Sequence, residues 1–236
     1  DPAVGRWTTM DPLCEKYYSV SPYAYCHNNP VNRIDPDGRD DYYSVGGQFL
    51  FRDSKKTDRI IIRDLVSYST KQQGWEFGPN PDTPIEQTVL SAEAYSKIFT
   101  NILSEMKDVD IYLLHNQSVS VVVSPNDYDI ESTFNDPYSA FSSEGVVNAA
   151  TQHLNGVKKI TACINYLGAS DNRKLFATLS NVQNLLGVHE YIGHGVKGWS
   201  GSNHKLVYKN QFKHPSWKRT TGYFKRQELS NYQKVK

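Results

Sequence analysis

An α+β fold, with short hairpins and a small antiparallel sheet against which helices pack, is the class this sequence predicts. Three observations point to it. Short β-branched and aromatic runs alternate with turn signals in the first half, an amphipathic helical pattern occupies 83–107, and from Asn172 the apolar residues step by four and three. The 236 residues can bury a core without staples, and 12% aromatic content with 16 Tyr and 4 Trp excludes a disordered chain despite a mean hydropathy of −0.60. No apolar run reaches the length of a membrane-spanning helix; the nearest, Ser118–Val123, is strand length. Cys14, Cys26 and Cys163 contain no CxxC pair, which suggests neither a disulfide framework nor a cysteine zinc site. The opening Asp1-Pro-Ala-Val-Gly-Arg-Trp7 has no basic region followed by an apolar one, and predicts a fragment of a longer polypeptide.

Each element follows from a local signal. Gly46-Gly47, between Tyr42-Tyr-Ser-Val45 and Gln48-Phe-Leu-Phe51, predicts a two-residue hairpin turn, and Asp58–Arg63 a third strand. Thr83-Pro-Ile-Glu86 combines a cap, a first-turn proline and a reciprocal acid, and predicts a helix start continuing to about residue 107. Val109–Leu114 and Ser118–Val123 read as paired strands, 124–142 as a loop, Glu144–Leu154 as a helix and Val157–Ile164 as a strand. Beyond Asn172, Leu175, Leu179, Val182 and Leu186 form one stripe, and the next step of three lands on His189. Ser180-Asn-Val-Gln183 offers a capping box where two helices would meet.

That histidine begins the segment that carries chemistry, Val188-His-Glu-Tyr-Ile-Gly-His-Gly195. Metallopeptidases bind zinc with two helical histidines four residues apart, the intervening glutamate serving as general base. Here His189 and His194 are five apart, about 140° around an ideal α-helix instead of about 40°. Two such ligands meet at one metal only if a π-bulge or a helix end absorbs the extra residue, and Gly193 supplies the freedom. His189-Glu-Tyr-Ile-Gly-His194 resembles the expanded HExxGH zinc motif of the dipeptidyl peptidase III type, which implies a zincin-like helical metal site.

A catalytic zinc keeps three protein ligands and a water. The turn Gly195-Val-Lys-Gly-Trp-Ser-Gly201 predicts a helical hairpin that sets His204 opposite His194, with Tyr208 and Gln211 on the face of His204. His204 is the leading third ligand; His214 and Glu228 compete. Glu190 is the candidate general base, and Tyr208 a candidate donor to the oxyanion or a packing tyrosine. Metal-assisted peptide hydrolysis is the chemistry this set predicts.

Residues 1–39 resemble the end of an Rhs/YD-repeat core. The matching stretches are Asp1–Trp7, Asp11-Pro-Leu13, Ser21-Pro-Tyr-Ala-Tyr25, Asn28-Asn-Pro-Val31 and Asp35-Pro-Asp-Gly38, and Pro30 with the latter fits the PxxxxDPxG signature that closes the core of polymorphic toxins. The resemblance implies a boundary near residue 40, with 1–40 the end of the core and 41–236 a secreted effector toxin delivered into a competitor cell. It also implies autoproteolysis at Asp35, with Asp37, although Arg39 stands where the family usually has a hydrophobic residue. A cognate immunity protein, the repeat shell and the secretion machinery are the implied partners.

The net charge of +1 hides an asymmetry: residues 197–236 carry ten Lys/Arg against the single acid Glu228, about +9, leaving about −8 elsewhere. Such a segment is a solvated basic face or a surface for an anionic partner. It supports an alternative reading as a nuclease toxin.

Overall fold

The computed structural model describes residues 40–53, 55, 57–69, 74–77, 82–109, 119–124, 148–154, 157–168 and 171–235. The Rhs-like segment with Asp35 and Asp37, Cys14 and Cys26, the expected strand at 110–114 and the loop at 125–142 lie outside the described residues.

Helices and small sheets make up an α+β fold, as the patterning predicts. β1 (Asp41–Ser44) and β2 (Phe49–Arg52) form the expected antiparallel hairpin, but its turn is longer than the two residues expected: the Gly47 N–H donates to the Ser44 carbonyl, so Val45 and Gly46 are the central turn residues. Its turn needs glycine twice over: Gly47 has φ +81°, and a Cβ there would stand 2.4 Å from the Ala94 carbonyl oxygen. β3 (Ile60–Arg63) joins β1 in parallel, and the edge strand β6 (Thr83–Pro84) joins β3. β4 (Leu65–Ser69) and β5 (Gly74–Phe77) form a separate antiparallel ribbon. In the third sheet β9 (Val157–Asn165) lies between β7 (Ser120–Ser124), parallel to it, and β8 (Ala149–Leu154), antiparallel. Two of the three sheets are therefore mixed, not antiparallel. The parallel pairs β1/β3 and β7/β9 join strands separated by other chain, and no local turn signal announces such a pairing.

Two helix expectations are corrected. Thr83-Pro-Ile-Glu86 is not a helix start: Thr83 and Pro84 pair with Ile62 and Ile61, and Ile85–Gln87 makes only a 3-10 turn. Proline without an N–H suits this edge position. The helix α1 (Ala92–Ser104) begins instead at Ser91, whose hydroxyl accepts the Ala94 N–H at 3.2 Å. Within Glu144–Leu154, residues 149–154 are strand β8, paired from Ala149↔Ala162 to Leu154↔Val157.

α1 lies at the centre of the core. Its buried face, Tyr95, Ile98, Phe99, Ile102 and Leu103, belongs to one apolar cluster with Tyr43, Ile60 and Ile62 of the first sheet and Val121, Ile160 and Ile164 of the third. The same cluster takes in Leu179, Val182, Leu186 and Val188 from the segment that carries the histidines. At the first described residues, the fully buried Asp40 accepts from Thr57 and Arg59, and the buried Asp41 pairs with Arg52. Among the described residues no helix is long and apolar enough to cross a membrane.

The histidine-bearing stretch opens with a 3-10 turn at Arg173–Phe176 and α2 (Leu179–Val182), capped by Thr178 rather than Ser180: the Thr178 hydroxyl accepts the Asn181 N–H at 3.1 Å. It then rewinds into a π-helix over Gln183–Val196. After a turn follow α3 (His204–Lys213), α4 (Pro215–Arg219) and α5 (Gly222–Lys234).

The two proposed caps at α1 are separable by substitution. Ser91→Ala is expected to lower stability by about 1 kcal/mol and Thr83→Ala to stay within about 0.5 kcal/mol, both read from urea denaturation.

Candidate metal centre

A π-helix closes i→i+5 hydrogen bonds, so residue i+5 comes to lie nearly above residue i. The Lys197 N–H donating to the Ile192 carbonyl at 2.9 Å is such a bond at the end of the segment. This winding removes the angular obstacle that the five-residue spacing presents on an α-helix. His189 and His194 share a side, their ring centroids 5.1 Å apart.

α3 brings the third imidazole. The turn after Val196 doubles back, with the Trp199 N–H donating to the Gly193 carbonyl, and His204 enters at the first residue of α3. Its ring lies 5.4 Å from His189 and 4.8 Å from His194, with Nε2 of His204 and Nε2 of His189 3.3 Å apart. One ligand atom from each of the three histidines lies within 4.8 Å of the others, close enough to hold a metal ion.

Gly193 serves this approach by its size. A Cβ on Gly193 would sit 2.6 Å from Cγ1 of the fully buried Val207, so the π-helix and α3 reach their spacing only with glycine there. The freedom read from the sequence as backbone flexibility is thus, in the structure, a matter of close packing.

Backbone and side-chain acceptors orient the rings. Nδ1 of His189 lies 2.9 Å from Oε1 of Gln211, and Nδ1 of His194 meets the Trp199 carbonyl. Both acceptors want a proton on Nδ1, which leaves each Nε2 with its lone pair. Burial, with the neighbouring histidines adding to it, holds the His189 imidazole well below its usual pKa and takes His204 down to about 4; burial also lowers His194. The rings are neutral at physiological pH, the form that binds a metal.

Glu190 is buried and turns towards the third sheet, where the Thr151 hydroxyl donates to its Oε2 at 2.8 Å. Burial, only partly offset by that bond, raises its carboxyl to about 7. Tyr208 packs edge-on against His189 with ring centroids 4.7 Å apart and lies tilted 5.1 Å from His204, and burial keeps its phenol protonated. The competitors for the third ligand fall elsewhere. His214 bonds Ser216 and faces Asp108, while Glu228 accepts from Gln211 and Asn231.

Sequence reasoning placed Gln211 on the right face without giving it a task, and its i+7 spacing from His204 was the available signal. Thr151 carried no signal, because its segment reads as a helix. The ten basic residues of 197–236 include Lys197, Lys209, Lys213, Lys218, Arg219, Arg226 and Lys234 on exposed positions of the turn, α3, α4 and α5.

No family model matches this chain, and no solved structure does. Among curated proteins, salivary gland surface protein 1 of Aedes aegypti is 54% identical over 39 residues. That stretch is 16% of this chain and 1% of that protein, so the likeness is confined to a short segment.

Two measurements check this geometry. Gly193→Ala is expected to cost about 1–3 kcal/mol, and a double-mutant cycle with Val207→Ala should show favourable coupling of about 1 kcal/mol; independent effects would contradict the close contact. In metal-free protein, Glu190 binds its proton more tightly folded than unfolded, so its contribution is complete below about 4.5 and is lost as pH rises through about 7. Glu190→Gln is therefore expected to gain stability on wild type across that window and to level off above it, as read from thermal unfolding at stepped pH.

Proposed function

We propose that this chain is a zinc-dependent metallopeptidase, with His189, His194 and His204 as ligands, and that it acts as the toxin part of an Rhs-type effector. The observation that carries the first half is the three-imidazole cluster, two of its rings held at Nδ1 by oxygen acceptors, with the buried Glu190 next in sequence to His189. Three neutral nitrogen donors suit zinc, whereas magnesium and calcium call for oxygen ligands. Three protein ligands leave a fourth position, the arrangement of a catalytic rather than a structural site.

Zinc held by these three histidines would supply an acidified water and polarise a carbonyl oxygen. The chain's own residues do the rest. Thr151 holds Oε2 of Glu190, which leaves Oε1 to take the proton of the attacking water and pass it to the leaving amine. A carboxyl raised to about 7 accepts and releases a proton near neutral pH. Tyr208, protonated and against two of the histidines, is a donor for the developing oxyanion.

The toxin reading rests on the resemblance of residues 1–39 to the end of an Rhs core. With it go secretion, delivery into a target cell, and a cognate immunity protein as partner; the substrate is a peptide or protein. The basic stretch 197–236 favours the second reading, a nuclease toxin, but a three-histidine set without a carboxylate ligand suits phosphoryl chemistry with magnesium less well.

Elemental analysis of protein purified without chelators is expected to give about one zinc per chain, lost in His189→Ala. Glu190→Gln should keep the metal and lose peptide hydrolysis by at least about 100-fold. A metal-free wild type that binds nucleic acid in a salt-sensitive way would move the reading to the nuclease.

A further inference from the structure

We infer that Glu228 is a positioning residue for His189: acting through the side-chain amide of Gln211, it fixes which imidazole nitrogen is left to bind metal. The inference rests on the three-histidine metal reading and adds to it a control exerted by α5, the last helix, which contributes no ligand.

Gln211 is fully buried between the two groups, on the same face of α3 as His204 and Tyr208. Its amide has an accepting end and a donating end, and which end points where decides what its neighbours must be. Nε2 of Gln211 donates to Oε2 of Glu228 at 2.8 Å, and Oε1 lies 2.9 Å from Nδ1 of His189. A carboxylate oxygen offers Gln211 an acceptor, so the amide presents its NH2 to Glu228 and its carbonyl to His189. A carbonyl in turn accepts only from a protonated Nδ1. The neutral imidazole then carries its lone pair on Nε2, the atom that lies 3.3 Å from Nε2 of His204 inside the cluster.

The reversed amide would place an NH2 against Nδ1 and make that nitrogen the acceptor. The proton would move to Nε2, where it would block the ligand atom, and the carbonyl of Gln211 would face a carboxylate with no donor between them. Such a buried mismatch is what Glu228 excludes when ionised; burial raises its carboxyl to about 7, so the exclusion is complete above that pH. Asn231, one turn on along α5, donates to the other carboxylate oxygen of Glu228 at 3.3 Å and holds the carboxylate in place. Glu228 itself is 2% exposed and its nearest oxygen stands 4.0 Å from Nδ1 of His189, too far for a direct hydrogen bond. The amide is therefore the link. This is also why the acid that competes in sequence as a third ligand lies behind the first one.

The test reads the tautomer directly. Two-bond 1H–15N correlation spectra of the metal-free full chain are expected to show His189 protonated on Nδ1 in wild type and in Glu228→Gln, whose side-chain carbonyl can still accept from Gln211. In Glu228→Met, and in Gln211→Met should the first variant not fold, the resonances should shift to the other tautomer or to a mixture. Titration of zinc against a competing chelator should then give affinity lowered about 10–100-fold in the Met variants and within about threefold of wild type in Glu228→Gln. A wild-type His189 protonated on Nε2, or a Met variant with the wild-type tautomer, overturns the inference. Zinc failing to bind wild type while the tautomer behaves as stated would overturn the metal reading and leave the role of Glu228 in fixing the tautomer intact.

Discussion

The i→i+5 hydrogen bonding of Gln183–Val196 is the constraint on which the candidate centre depends. With α-helical winding, His194 would point about 140° away from His189, and no movement of α3 could gather both rings with His204. With π-winding the two rings meet at 5.1 Å, and one incoming helix completes the set. π-turns usually occur singly and cost stability, so a run of this length needs support from outside the helix. The support is burial: Leu185, Leu186, Val188 and Tyr191 sink into the main core, and α3 and the β8 strand flank the remaining sides.

The same segment divides its clustered histidines and its buried glutamate between two neighbours. Nδ1 of His189 meets Gln211 on α3 and Nδ1 of His194 meets the Trp199 carbonyl in the turn before α3, while Glu190, next to His189, reaches the Thr151 hydroxyl on β8. The candidate ligands and the candidate base are thus held by different elements. The cost of burying Glu190 is visible in its raised carboxyl, and that of burying the imidazoles in their lowered ones. Near neutral pH the imidazoles of the metal-free protein are neutral and Glu190, raised to about 7, is partly protonated, which reduces the charge an apolar core has to surround.

Much of this was legible because it lies in short-range pattern. The turn at Gly46-Gly47, the strands at 60–63 and 157–165, the helical hairpin after His194 and the shared face of His204, Tyr208 and Gln211 all follow from spacing of a few residues. The i, i+5 spacing requires a π-bulge or a helix end if both histidines are to reach one metal, and the segment is π-wound. Long-range pairing was not legible. The parallel partners of β1 and β7 lie beyond intervening chain, and Thr83-Pro84 reads as a cap until Ile61 and Ile62 are seen to claim it. The pattern of 144–154 reads as helix, although Asn155-Gly156, a strong hairpin signal, follows it in sequence, and residues 149–154 are β8. With that strand went Thr151, and so the partner of the candidate base.

X-ray absorption at the zinc edge of the metal-loaded protein tests the central claim most directly, since it reads the donor atoms themselves. Three imidazole nitrogens at about 2.0–2.1 Å and one further light atom, with the imidazole scattering reduced in His204→Ala, is the result this account predicts. Sulfur in the first coordination sphere, or a six-oxygen environment without imidazole, would contradict it.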